Sequence, residues 1–357
     1  MDDGLGPLYN AQACRECHQN PTSGGASQIT ELRVGHRGPD GRFRNPDIPI
    51  AHGGESISGR SLVNDRAIVR AQFFPTPRFK SGCPTDQTFM DIARRQCNST
   101  HAEICGQVLR VPIVEAAGHT GVGRFGWKDQ HASLLSFSGD AYLNEMGITS
   151  RLFPDEVTKL CNTASEPNNQ PGPDGLDDVD HFARFLRASK ALSRDAQLSE
   201  TPTVKRGSAL FDKIGCVTCH VRTLRTAPAG TKINGDTFTI PAALGEKTFH
   251  PFGDFLLHNV GTGDGIVMVM QEHYGRNTYQ ITWEELRLDK FRSSENKIRT
   301  APLWGVRVRP RLMHDGASLT LRGATVRHRG EASRVTRRFE GLGPADQKAI
   351  IEFLKSL

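Results

Sequence analysis

The chain has 357 residues, room for about two to three domains, with 37% apolar residues, 24% charged residues and a formal charge of +6. No stretch approaches the ~20 consecutive apolar residues that a membrane-spanning helix needs, so none is expected. With 36 Gly and 20 Pro, the chain reads as ordered but rich in loops, as when a cofactor supplies much of the core.

The first element of consequence is Cys14-Arg15-Glu16-Cys17-His18. A Cys-x-x-Cys-His run lets one helical turn offer two thiols to the vinyl groups of a haem while the next His swings its imidazole onto the iron. A thioredoxin-like redox pair or half of a zinc site would also use Cys-x-x-Cys. Neither accounts for the His that follows, and the same pentapeptide recurs as Cys216-Val217-Thr218-Cys219-His220. Two copies define a covalent di-haem c-type chain.

Between them lie four more cysteines, Cys83, Cys97, Cys105 and Cys161. An even set in an oxidising compartment predicts disulfides, with three pairings open, or else buried thiols. Residues Asn162 to Asp178, rich in Asn, Pro, Gly and Asp, read as a linker. After it, Val179, Phe182, Phe185, Leu186 and Leu192 fall near helical spacing. A second helix is predicted from Thr203 to Ile214, opened by Thr201-Pro202 and running straight into Cys216. Thr231 to Ile240 predicts a short hairpin turning at Asn234-Gly235. Thr282-Trp283-Glu284-Glu285 is a capping box for a helix to about Phe291. Gly343-Pro344 opens a closing helix to Leu357, with Ile350, Ile351, Leu354 and Leu357 on its inner face. The fold class is mainly α: two cytochrome c-like haem domains, 1–198 and 199–357, with long irregular loops and little sheet.

The excess of basic residues raises a nucleic-acid reading. Four propionates on two haems would bring +6 to about +2, and Pro, Gly and apolar residues interrupt the basic run from Arg292 to Arg338. Counter-charges for propionates and a docking face for an acidic redox partner explain it better, so no nucleic-acid partner is expected. Haem attachment in bacteria happens outside the cytoplasmic membrane, which predicts a periplasmic protein. The opening Met1-Asp2-Asp3-Gly4 carries neither a basic n-region nor an apolar h-region. A numbering that starts inside a longer precursor reconciles the two.

With these residues in view, the chain resembles the bacterial di-haem c-type oxidoreductases, relatives of di-haem cytochrome c peroxidase and MauG. The resemblance rests on both motifs, on Gly123-Arg124-Phe125-Gly126-Trp127-Lys128, on Tyr142-Leu143-Asn144-Glu145-Met146-Gly147-Ile148-Thr149, on Arg299 to Gly305 and on Leu312-Met313-His314-Asp315-Gly316. It implies peroxide reduction at the N-terminal haem, under His18, with electrons relayed from the C-terminal haem, under His220. A small redox protein, a cytochrome c or a cupredoxin, would be the donor. Counting fourteen on from His314 reaches His328, implied as sixth ligand of the C-terminal iron, with Met313 as second candidate and a solvated His in an Arg-rich run as the plain alternative. Trp127 resembles the inter-haem tryptophan, and Glu145 the distal acid that shuttles a proton between peroxide oxygens. Its spacing from Trp127 is slightly shorter than in the peroxidases, and a surface helix Glu is the plain alternative.

The relatives carry a Gln where this chain has Phe137 or its Ser neighbours, which suggests a greasier pocket. That departure keeps open MauG-like or oxygenase-like oxidation of a protein or organic substrate; a non-enzymatic electron carrier is a third reading. His36 or His52 would be a removable sixth ligand of the first haem. His258 reads as a hydrogen-bonded loop anchor. Thr300 and Pro302 fall where the relatives offer carbonyls to calcium, although the matching Asn is not evident.

Overall fold

The computed structural model describes residues 13–20, 26–27, 31–34, 36–37, 43–44, 68–71, 84–98, 103–146, 148–154, 170–189, 191–263 and 294–357. Among these the chain is helix-rich with little sheet, and each strand sits in a two-stranded antiparallel ladder. No helix among the described residues is long and apolar enough to cross a membrane.

The helix Pro202–Ile214 forms as its sequence requires. Thr201 accepts from Val204 N as N-cap, Pro202 occupies the first turn, and Gly215 at φ 103° closes the end in the left-handed region. It buries Val204, Phe211 and Ile214 against the closing helix Pro344–Lys355. The two backbones meet at Gly207, where an added Cβ would stand 1.9 Å from Ala349 O, so only glycine allows the crossing. On the closing helix the buried positions are Ala349, Ile350, Phe353 and Leu354. Phe353, unforeseen in the sequence, is the centre of this core, with Phe211 at 5.2 Å and Phe252 at 5.8 Å between ring centres. Ile351 is only partly buried.

The helix after the linker runs Asp178–Ala188 and starts on a capping box between Asp177 and Asp180. Its buried face is Val179, Ala183 and Leu186, whereas Phe185 is 53% exposed. Leu192 lies beyond the helix end, because Ser189 turns extended. The hairpin forms, pairing Lys232–Ile233 with Phe238–Thr239 around Asn234 and Gly235, both at positive φ. The helix expected near 282–291 lies outside the described residues.

A second core joins Phe89, Ile92, Phe125 and Leu134 to Leu224, Phe249, Phe255 and Leu256. It therefore draws on both sides of residue 198. Cys97 and Cys105 form a disulfide, which selects one of the possible pairings. Cys83 and Cys161 lie outside the described residues.

Candidate haem site

Gly215 ends its helix abruptly and passes the chain into a single 3-10 turn, Cys216–Thr218. That turn sets Cys216, Cys219 and His220 on the wall of one cavity. His328, the residue just after the helix Leu321–Arg327, lies on the same cavity. The His220 and His328 rings face each other with centres 6.5 Å apart and planes at 68°. Two imidazoles bound to opposite sides of one metal, each nitrogen about 2 Å from it, would stand roughly 6 Å apart, centre to centre.

Both rings are held in the same tautomer. His220 Nδ1 donates to Phe252 O at 2.9 Å and His328 Nδ1 to Ala324 O at 2.9 Å, which leaves Nε2 of each as the lone-pair nitrogen. Burial, then the facing His328, push His220 down to about 4. Burial also holds His328 below its ordinary value, despite the backbone bonds it makes. Both are neutral imidazoles at pH 7, as metal ligands must be.

The thiols discriminate among the rival readings of Cys-x-x-Cys. Burial pushes Cys216 up to about 12 and raises Cys219, whose neighbour His258 only partly offsets it. A redox dithiol or a zinc thiolate needs the opposite shift. Cys219, Asp254 and His258 have ligand atoms close enough for a metal ion. Both His258 nitrogens are already engaged, Nε2 by Asp254 at 2.9 Å and Nδ1 by Glu331 at 2.8 Å. Buried inert thiols, two opposed neutral imidazoles and an otherwise apolar wall (Phe211, Ile298, Leu303, Leu312) fit a haem.

Trp127 lines the same cavity, 7% exposed, with His314 edge-on at 6.1 Å. Its carbonyl accepts from Arg299 N at 2.9 Å. Lys128 next to it is buried and donates from Nζ to Glu295 O at 2.8 Å and Lys297 O at 3.1 Å. Met313, at φ 64°, also reaches the wall. Asp315 pairs with both Arg327 Nη atoms, locking the 313–316 loop to the helix that ends at His328.

Around the first motif less is described. Cys14–Cys17 is one helical turn, Cys14 is exposed and His18 is buried. The side chain of Cys17 lies outside the described residues. Tyr142 is pushed up to about 12, first by burial and then by Asp178 and Cys14, which places Cys14 within electrostatic reach of Tyr142. Tyr142 belongs to the helix Leu134–Met146, which also carries Glu145 near its end. The Glu145 side chain lies outside the described residues. So do the His36 side chain, in the strand His36–Arg37, and His52. Phe137 packs against Phe125 and His131, at 6.4 and 5.8 Å between ring centres, as part of the core rather than as a separate lining. Thr300 and Pro302 are flanked by the cavity guanidiniums Arg299 and Arg309, an unfavourable setting for calcium.

Sequence reasoning missed the brace behind Cys219. Gln96 donates to Thr218 O at 2.8 Å, inside the attachment loop, and to Asp254 at 2.7 Å. Glu331 accepts from Cys105 N at 3.1 Å and Asn259 N at 2.9 Å besides His258. The disulfide-bonded segment is thereby stitched to the second motif.

The chain belongs to the family described as "Di-haem oxidoreductase, putative peroxidase", which matches residues 115–357. It is thus a haem-binding oxidoreductase, an enzyme of the electron-transferring peroxidase class. The matched stretch contains the second motif, whereas Cys14 to His18 precede it. No curated protein matches. Among solved structures, the chain is similar to the diheme peroxidase BthA from Burkholderia thailandensis, with 16% identity over 82% of this chain and 92% of that one, TM-score 0.37. It is also similar to Kuenenia stuttgartiensis hydrazine synthase, at 19% identity over 50% and 55%, TM-score 0.30. A MauG-like protein associated with microbial copper homeostasis matches at 16% identity over 50% and 52%, TM-score 0.29. The chain spans about half the length of the latter two.

Proposed function

We propose that this chain is a two-haem c-type peroxidase, reducing peroxide with electrons from a small redox protein. When bound, haem supplies the redox-active iron that the polypeptide lacks. Cys14 and Cys17 anchor one haem and Cys216 and Cys219 the other, in two haem domains that meet near residue 198. His18 and His220 serve as proximal ligands, and His328 completes the second iron from the opposite side. The observation that carries this reading is the opposed His220–His328 pair, 6.5 Å apart with both Nδ1 atoms tied to carbonyls.

A site closed on both faces by imidazoles suits electron storage and transfer rather than substrate binding. Trp127, on its wall, offers an oxidisable indole towards the other haem. Peroxide chemistry then belongs to the His18 side, where Glu145 shuttles a proton from one oxygen to the other, an effect worth roughly 10²–10⁴ in rate. Overall, two electrons and two protons convert one peroxide to two waters. Thioether attachment places the protein in the periplasm.

Steady-state turnover of hydrogen peroxide with a reduced small cytochrome c or cupredoxin tests the reading. Two donor molecules oxidised per peroxide consumed is the expected result. Peroxide consumption coupled only to oxidation of an added protein or organic substrate would instead establish the MauG-like direction.

A further inference from the structure

The cavity wall holds a charge that the polypeptide does not answer. Arg299 is buried, its side chain 5% exposed, and its Nε donates to Gly126 O at 2.8 Å. Its Nη1 is buried with no hydrogen-bond partner among the described residues. The carboxylate paired with it, Asp129, stands 3.8 Å from Nε, too far for a hydrogen bond. Burial holds Asp129 well above the ordinary carboxylate range even with Arg299 nearby, so it is a weak counter-charge. Arg309 lines the same cavity and donates to Trp304 O at 2.7 Å. Burial, then the like charge of Arg299, push it down to about 9. Thr262 adds a second buried polar atom without a partner, its Oγ1, on this wall.

A guanidinium buried without an anion costs several kcal/mol, and an unmade buried hydrogen bond adds to that. A fold keeps such groups in an apolar cavity when the ligand brings the anion. We infer that Arg299, with Arg309 and Thr262 on the same wall, forms a carboxylate-anchoring subsite for the propionates of the porphyrin held by Cys216, Cys219 and His220. The subsite rests on the haem reading of this cavity. It adds to that reading a set of positioning residues that tune the iron's potential.

The argument from charge has a definite sign. A carboxylate held by a guanidinium fork stays ionised through neutral pH, and the two cations disfavour the extra positive charge of ferric iron. Arg299 therefore raises the potential that two imidazole ligands would otherwise set low. It also keeps that potential flat with pH.

The test uses full-length holoprotein, wild type and Arg299→Gln, with haem attachment at Cys216 and Cys219 verified by intact mass. Potentiometric titration is run from pH 6 to 9, and the propionate-bending band is followed by resonance Raman. Arg299→Gln is expected to lower the potential of the His–His haem, make it fall with rising pH, and shift the propionate band. Unchanged potential, pH slope and band with haem attached would overturn the subsite while leaving the haem reading standing. Wild-type protein without haem at Cys216 and Cys219 would overturn both. If Arg299→Gln does not accumulate, Arg299→Lys decides: the band moves while the potential stays near wild type, and an unmoved band overturns the subsite.

Discussion

The imidazoles of His220 and His328 oppose each other across one cavity, 108 positions apart in sequence yet 6.5 Å apart between ring centres. Each is pinned by its own Nδ1–H to a carbonyl of a different element, Phe252 O and Ala324 O. The pair is therefore preorganised, and the iron's sixth position is closed by design of the backbone. Replacing one imidazole by a thioether raises a haem potential. His328→Met is expected to raise the potential of the second haem with the haem still attached, read by redox titration. An unchanged potential would remove His328 from the iron.

The proton shuttle at the other haem makes its own prediction. Glu145→Gln keeps the side chain's size and loses its titratable proton. Peroxide turnover is expected to fall by roughly 10²–10⁴, with both haems retained and the second haem's potential unaltered. Stopped-flow reaction of the half-reduced variant with peroxide measures this directly. A rate equal to wild type would move the acid/base role elsewhere.

Trp127 shares the cavity wall with His220 and His328 and touches His314 edge-on. Trp127→Phe preserves an aromatic ring that is harder to oxidise. Turnover is expected to drop while peroxide binding at the first haem is unaffected, so kcat falls more than KM changes. The two should be separated by varying peroxide at saturating donor.

Packing around the second motif depends on Phe353, which is fully buried between Phe211 and Phe252. Phe353→Ala should destabilise the holoprotein by about 3–5 kcal/mol through lost burial and an unfilled cavity. Urea denaturation followed by circular dichroism checks the magnitude. A loss below about 1 kcal/mol would mean that the closing helix can collapse into the gap.

The Asp254–His258–Glu331 brace predicts how stability depends on pH. Burial pulls His258 down, but Asp254 outweighs it and holds the imidazole well above its ordinary 6.5. Its stabilisation is fully present below 6.5 and is lost as pH climbs through that higher folded value. Burial raises Glu331, but the hydrogen bond from His258 prevails and holds it below 4.5. Its contribution is present above 4.5 and lost as pH falls through that lower value. A broad plateau across neutrality is expected, with an alkaline limb that His258→Gln removes. Thermal melts at stepped pH values test it; an alkaline limb that persists in the variant would assign it to another group.

What the sequence disclosed here was local chemistry. A Cys-x-x-Cys-His turn, a Thr-Pro helix start, an Asn-Gly hairpin and a closing amphipathic helix each state their geometry within a few residues. His328 was reachable only by counting from His314, because spacing within one motif family is a local signal too. Gln96 to Thr218 and His258 to Glu331 were not legible, since nothing in a single sequence couples partners 122 and 73 positions apart. Arg299 was hidden for a different reason. It lies in a basic run whose other members are largely solvated, and only burial separates it from them. Phe353 over Ile351 is a matter of a helix turned slightly, which hydrophobic spacing alone does not fix.

The most direct test is the intact mass of protein matured in a haem-competent host, followed by peptide mapping. The polypeptide plus two haem masses is predicted, with thioether-linked porphyrin on Cys14 to Cys17 and on Cys216 to Cys219. A mass equal to the bare chain, or haem that washes out on acid extraction, would contradict the account at its root.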